Sequence, residues 1–421
     1  MILFLSNGHG EDLIGATLAA AVKQAAPEAG LAALAVVGEG KPYPARGIPL
    51  VGPRRTLPSG GFTRLSVGNL VRDLRAGLLP LLLGQAAELR RRAPEVEVTV
   101  AVGDVLVLYL ALRQLRGPVV FLPTAKSDYI APHFPVEVSL MKRCRKVYPR
   151  DDLTARGLAA QGVPAEYLGN AMMDCLDLSG ADLRPDLFVA APAGSPAQAE
   201  PGPADHRSPA VVGLLPGSRE DAYLNLADLT RAAARLVELS TFPLTFPVAL
   251  APSLDVGRAV AAVAEAGGVA VPLGAAAPEP GRRPGRPVLT LVSGRFGDTV
   301  AACDLVVGLA GTANEQAAGL GRPVVTFPGR GTQFTARFAA AQKRLLGEAV
   351  LLVAPDPGEV ARTALRLLCD RAELARRGAA GRERMGAPGA TSRMAAGIVE
   401  LWKEVRRDAS RNCPGLPRLH P

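Results

Sequence analysis

"ILFLSNGHGEDLIGATLAAAVKQAAPEAGLAALAVV", residues 2–37, holds an apolar run, a glycine-rich polar loop, a helical pattern and a second apolar run, in that order. Residues 2–6 read as a short buried strand. Leu13, Thr17, Leu18, Ala21 and Ala25 recur at helical spacing over 12–25, and 31–37 reads as the next strand. Strand, loop, helix, strand is a βαβ unit, whose crossover should be right-handed. The alternation continues through "EVTVAVGD" (97–104), a helix over 105–115, "PVVFLP" (118–123), a strand near 146–149, a helix over 151–161 and a strand over 165–168. This pattern predicts a doubly wound α/β domain over 1–175.

A Pro/Ala/Gly-rich stretch then loses periodicity, and 176–209 reads as a linker or insertion. A second α/β pattern follows over 210–388. It has strands at 210–215, 244–249, 288–292, 304–308 and 323–327, and helices at 221–238, 254–266 and 312–320. A low-complexity loop, "GAAAPEPGRRPGRP" (274–287), interrupts it, helical patterns dominate 356–407, and 409–421 reads as a disordered tail. Two α/β halves of similar size place a ligand cleft between them, lined by loops at the carboxyl ends of strands.

The 421 residues are 48% hydrophobic, 21% charged and 4% aromatic, a globular composition that exceeds one usual core. The net charge of +9 favours anionic partners, but the few aromatics and the absence of a nucleic-acid module argue against nucleic acid. Five scattered cysteines with no C-x-x-C pair fit a reducing cytoplasm and no structural zinc. Neither a signal peptide nor a clean run of about 18 apolar residues is read.

Three loops carry the chemistry. Gly8, His9 and Gly10 follow the first strand and lead into a helix N-terminus, where free N–H groups favour an anion and glycines admit a ligand closely. Asp12 either supports that helix dipole or contacts the ligand. Leu13 stands where a dinucleotide fingerprint needs its third glycine, and there is no Walker lysine. "LLPGSRED" (214–221) offers Gly217 and Ser218 N–H groups and the Arg219 guanidinium to a phosphate. "GLAGTANEQAAGLGRPVV" (308–325) repeats the device. There Gly311 opens the turn, and Thr312 either caps the helix or bonds a phosphate. Asn314 on the same turn is expected to contact the substrate, and Glu315 and Gln316 suit ribose hydroxyls. Two anion sockets about 90 residues apart suggest a diphosphate carrying a sugar or nucleoside.

Asp104, at the end of an apolar strand, is either a general base for a sugar hydroxyl or an N-cap. His9 is the rival base, or it orients backbone. Residues 59–92 are basic and amphipathic, and either dip into lipid headgroups or face a core. No D-x-D motif or metal-spaced histidine pair occurs, so no metal or cofactor is expected, and Arg219 with the helix N-termini must neutralise a leaving group.

These residues together resemble bacterial lipid-A-disaccharide synthases, and more closely their divergent branch of lipid-A-disaccharide synthase-related proteins. "LLPGSR" (214–219) is similar to the family's motif letter for letter, "AGTA" (310–313) to its S-G-T-A turn, and "EDLIGATL" (11–18) to its helix start. "VGDV" (102–105) lies where the family has a G-I-D stretch carrying a proposed base, aligning Asp104. "LGNAMMD" (168–174) resembles I-G-H-x-M-x-D, with Asn170, in place of the histidine, expected to contact the substrate. The basic segment 59–92 lies where the family keeps a lipid- and membrane-facing patch.

The resemblance implies a GT-B fold, with two Rossmann-like domains, an interdomain cleft and a C-terminal helix over 389–408 crossing back to the first domain. It implies inverting transfer of an acylated glucosamine-type unit from a UDP sugar to a lipid acceptor, by a cytoplasmic protein peripheral to the anionic inner membrane face. Gly217, Ser218 and Arg219 would hold the diphosphate. The sequence departs from the family at Gly8, where the family has glutamate, and at His9-Gly10, which replace A-S. "LPTAKSDYIAPHF" (122–134) replaces S-P-S-V-W-A-W, and N-L-L-A-G-R is absent after 340. A UDP-sugar epimerase or hydrolase on the same fold, and a catalytically silent UDP-sugar binder, are the alternatives.

Overall fold

The computed structural model describes residues 1–55, 75, 77–189, 210–275 and 286–412; for His9, Phe188, Val189 and Asn412 it describes the backbone alone. The chain forms two compact units. One comprises 1–175 with the chain from Ala387 onward, the other Leu176–Gly386.

The first unit runs β1 Ile2–Asn7, α1 His9–Ala25, β2 Leu31–Val37, α2 Leu78–Arg92, β3 Val98–Gly103, α3 Val105–Gln114, β4 Val119–Pro123, α4 Pro135–Met141, β5 Lys146–Val147 and α5 Asp152–Ala160. The strands are parallel in the order β2-β1-β3-β4-β5. β1, β3 and β4 are buried along their whole length, as strands covered on both faces must be. One face packs on α2 and α3 through Leu89, Val107 and Leu108. The other packs on α1 and the C-terminal helix Ala390–Asn412, whose Met394, Ile398 and Trp402 share a core with Phe4, Leu18 and Val22. This helix is the crossover element, and residues 409–412 continue it; 413–421 lie outside the described residues. Asp174 caps its start, accepting from Gly389 N at 2.5 Å and Thr391 N at 2.6 Å. The strand expected over 165–168 is only a single bridge between Ala165 and Val147. Of the amphipathic segment 59–92, residues 78–92 are the helix α2, whereas 59–74 and 76 lie outside the described residues.

The second unit runs α6 Arg184–Val189, β6 Ala210–Leu215, α7 Ala222–Leu239, β7 Leu244–Leu250, α8 Val256–Glu265, β8 Val269–Pro272, β9 Val288–Ser293, α9 Phe296–Ala301, β10 Leu305–Gly308, α10 Thr312–Gly319, β11 Val324–Thr326, α11 Ala336–Leu346, β12 Val350–Leu352, α12 Pro357–Cys369 and α13 Arg371–Met385. Its parallel sheet has the order β12-β11-β10-β6-β7-β9-β8. The edge strands β8 and β12 are additions to the sequence reading. They have only four and three residues, too few for a periodic signal. Residues 176–189, expected within a linker, pack instead in this unit. Ser179 donates to Asp298 through N (2.9 Å) and Oγ (2.7 Å), and Arg184 pairs with Asp304 at the foot of β10. Leu183 and Leu187 are buried beside these polar anchors, but the segment is too short and mixed for its period to stand out ahead of the Pro/Ala/Gly-rich run. Residues 190–209 and 276–285, which hold the rest of the linker and most of the low-complexity loop, lie outside the described residues.

Each sheet reverses its winding direction at its first strand. In the first unit the switch falls between β1 and β3, and in the second between β6 and β10. Loops leaving the carboxyl ends of strands at such a point are where open α/β sheets bind ligands.

Candidate functional site

In the first unit the switch-point loops are 7–9 and 103–105. Gly8 has φ 110° and is the N-cap of α1, a backbone geometry that favours glycine. Gly10 is exposed, with no atom within 4 Å of where a Cβ would lie. His9 opens α1, and its side chain lies outside the described residues. Asp104 is the N-cap of α3. Its Oδ1 accepts from Leu106 N at 2.9 Å and Val107 N at 3.4 Å, and its Oδ2 from Asn7 Nδ2 at 2.9 Å. Both halves of the switch point are thereby tied together. Burial raises the Asp104 pKa against those hydrogen bonds, and the Glu137 charge adds to the rise.

Glu11, not singled out from the sequence, stands beside it. Its Oε1 accepts from Thr124 Oγ1 at 3.4 Å, at the end of β4, and Thr124 O in turn accepts from Arg150 Nη1 at 3.1 Å. Burial, the largest influence, pushes the Glu11 carboxyl up, as does Asp104; its own backbone N–H, Thr124 and Arg150 pull it down. Residues of the 122–134 stretch form a neighbouring cluster with Glu137. Lys126 Nζ donates to Glu137 Oε2 at 2.7 Å, and His133 Nδ1 lies 3.3 Å from the same oxygen.

Two expected contact residues of this unit are structural. Asp12 is 2% exposed, and its Oδ1 accepts from buried Ser6 Oγ at 2.6 Å, which itself accepts from the buried Tyr43 hydroxyl at 2.9 Å. It faces the interior rather than a ligand, because α1 is buried between the sheet and the C-terminal helix. Asn170 is likewise buried, and its Oδ1 caps the turn Ala171–Cys175 by accepting from Met172 N at 3.0 Å. A short polar side chain before a tight turn is drawn to that turn's open N–H groups.

Burial raises the Asp12 pKa from 3.8 to about 7. Its stabilising contribution is complete below the unfolded value and is lost as pH rises through about 7. The upper bound on that loss is about 4 kcal/mol. Asp12→Asn keeps the oxygen that Ser6 bonds and removes the titration. The fall in melting temperature between pH 4 and 7 should therefore be shallower in the variant, as measured by circular dichroism; equal slopes would rule Asp12 out as its source.

In the second unit the loops after β6 and β10 leave adjacent, paired strands, with Gly308 opposite Leu215. Asn225 Nδ2 ties them together, bonding Pro216 O at 2.9 Å and Leu309 O at 3.5 Å. Gly217, at φ 101°, turns the first loop; Ser218 and Arg219 are exposed beyond it. Arg219 Nη1 donates to Gln333 Oε1, and Asp221 Oδ2 holds the Gln333 backbone N–H at 2.9 Å. In the second loop Gly311, not Thr312, is the N-cap, with no side-chain cap bond; Thr312 is the first helical residue and is exposed. Asn314 is a correction. It is fully buried, its Nδ2 bonding Gly308 O at 3.1 Å and Gln342 Oε1 at 2.9 Å, so it braces β10 to α11. Glu315 and Gln316 are also largely buried.

Among the described residues no group of three or more His, Cys, Asp or Glu is placed to hold a metal, and no helix is long and apolar enough to cross a membrane.

No family model and no curated protein matches the chain. Solved structures do resemble it. MurG from Acinetobacter baumannii is similar at 15% identity and a TM-score of 0.57, over 95% of this chain and 99% of that one. UDP-GlcNAc 2-epimerase from Neisseria meningitidis, bound to UDP-GlcNAc, is similar at 12% identity and a TM-score of 0.55, over 95% and 100%. The calicheamicin glycosyltransferase CalG4 is similar at 18% identity and a TM-score of 0.51, over 96% and 98%. With two parallel-sheet Rossmann-like units, the chain has the GT-B fold.

Proposed function

We propose that this protein transfers a sugar from a UDP donor to a lipid or glycolipid acceptor with inversion, as lipid-A-disaccharide synthases do, the sugar being an acylated glucosamine-type unit. The observation that carries the reading is the pair of glycine loops joined through Asn225 at the switch point of the second sheet, with exposed Arg219 beside them. In this reading Gly217, Ser218, Gly311 and Thr312 present N–H groups to the diphosphate. Arg219 neutralises the charge that develops on it, and Glu315 or Gln316 takes the ribose. Asn314 supports the second of these loops from behind, through Gly308 and Gln342.

The acceptor hydroxyl is placed at the switch point of the first unit, against Gly8, Gly10, His9, Asp104 and Glu11. A base there removes its proton, the oxygen attacks the anomeric carbon in line, and UDP leaves. Leu79 and Leu83 are 56% and 59% exposed on α2, a helix ending in Arg90, Arg91 and Arg92. Apolar and basic surface on one helix supports a lipid acceptor and peripheral binding at the anionic inner face of the cytoplasmic membrane.

Similarity to the UDP-GlcNAc-bound epimerase favours a second reading, epimerisation or hydrolysis without an acceptor; a silent binder is the third. Incubation with UDP-GlcNAc, with and without total lipid extract of the source cells, separates them. Transfer requires UDP release that depends on the extract, with a new glycolipid in the mass spectrum. Turnover in detergent-free buffer alone supports the second reading, and UDP binding without turnover the third.

A further inference from the structure

We infer that Glu11 is the catalytic base of the proposed transfer and that Asp104 beside it is a positioning residue. The inference rests on placing the acceptor in the first unit. Its ground is what each carboxylate already holds. Asp104 accepts two backbone N–H groups of α3 and the Asn7 amide, so both its oxygens are committed. Taking up a proton there would weaken the cap of α3 and the bond that joins β1 to β3. Each donor also favours the charged form, which makes Asp104 a weaker base.

Glu11 is differently placed. A Cβ on Gly8 would lie 3.1 Å from its Oε2, and a Cβ on Gly103 would lie 3.4 Å from its Cγ. The side chain therefore lies over the loop after β1 and against the end of β3. Its Oε1 reaches Thr124 after β4 through a single long hydrogen bond of 3.4 Å. The carboxylate thus spans three strand ends at the point where ligands enter such sheets. The missing side chains of Gly8 and Gly103 provide the room it occupies. The charged groups acting on it are Asp104 from the end of β3, Arg150 from the loop after β5, and Asp12 on its own helix. Burial and the Asp104 charge raise its proton affinity, the direction a general base working near neutral pH requires.

In the step, the acceptor O–H bond breaks and its proton passes to the Glu11 carboxylate. The oxygen's electron pair forms the new bond to the anomeric carbon, and the bond from that carbon to the diphosphate oxygen breaks, UDP leaving with the electron pair. Glu11 afterwards returns the proton to water.

The test is UDP release from UDP-GlcNAc with total lipid extract between pH 5 and 9, alongside UDP titration calorimetry. Glu11→Gln should lower kcat by about 10²- to 10⁴-fold, keep the UDP Kd within about twofold, and abolish the acid limb of kcat/KM. Glu11→Asp should restore part of the rate. Asp104→Asn should cost about tenfold or less and keep the limb. Thr124→Val, which removes a donor to the charged form, should move the limb to higher pH, a readout that stands even where Glu11→Gln folds poorly. The inference is overturned if Glu11→Gln retains most of the turnover, or if the limb disappears in Asp104→Asn instead. A wild-type protein that binds no UDP overturns the proposed function as well, and calorimetry tells that outcome apart.

Discussion

Arg219→Ala is expected to weaken UDP binding by about 10- to 150-fold, the equivalent of one charge-assisted hydrogen-bonding group worth about 1.5–3 kcal/mol. Arg219 is exposed at the end of β6, and its guanidinium is oriented by Gln333, whose loop is pinned through Asp221. In the proposed function it stands beside two loops whose N–H groups face the diphosphate, which would gain a bidentate partner there without ordering a free side chain. Because the residue is exposed, the loss should shrink as salt is raised. Arg219→Lys should recover only part of the affinity, since an ammonium cannot reproduce the planar fork. Titration calorimetry with UDP at low and moderate salt measures both effects, and an unchanged Kd in Arg219→Ala would remove this residue from the site.

Gly381→Ala should lower the stability of the second unit by about 2–3 kcal/mol, although alanine is the better helix former by about 1 kcal/mol. Gly381 lies on α13, and a Cβ there would come within 2.2 Å of Ala318 O on α10, with Gly378 similarly 2.4 Å from Gly321 O. Backbone meets backbone at these positions, so no side chain can rotate out of the way. α10 carries Thr312, Glu315 and Gln316, and its displacement should therefore also weaken UDP binding. For a unit of this size the melting temperature should fall by about 4–12 °C. A thermal melt followed by circular dichroism reads it, and an unchanged or raised midpoint would show that the two helices can separate at no cost.

Much of this architecture was legible in the amino-acid order. The buried runs 2–6, 97–104, 210–215 and 304–308 needed only their apolar length and the glycines after them to be read as parallel strands. Each is followed by a helix in the structure, as the alternation implied. What escaped was short or polar. β8 and β12 are too brief to show a period, and the Ser179 and Arg184 anchors are single polar side chains in a short mixed segment ahead of a Pro/Ala/Gly-rich run.

The candidate site was legible as loops but not side chain by side chain. Asp12 and Glu11 are neighbours at the start of α1, and nothing in their spacing decides which faces inward, because Ala16 and Ala19 on one stripe and Ile14 and Leu18 on another are all buried. Asn314 reads as a loop amide beside a phosphate socket until Gln342, 28 residues on, is seen to hold it. The long-range bond from Asn314 leaves no local signature, and burial of Asp12 and Asn170 is decided by packing rather than by their immediate neighbours, so the candidates that proved structural are the buried, short polar ones.

The location of the nucleotide decides most about this protein, and crystals soaked with UDP would show it. Pyrophosphate density is expected against the backbone of Gly217–Ser218 and Gly311–Thr312, with the Arg219 guanidinium turned onto it. Density at the carboxyl ends of β1 and β3 instead, or no binding at millimolar UDP, would mean that the loops of the second sheet are not the diphosphate site.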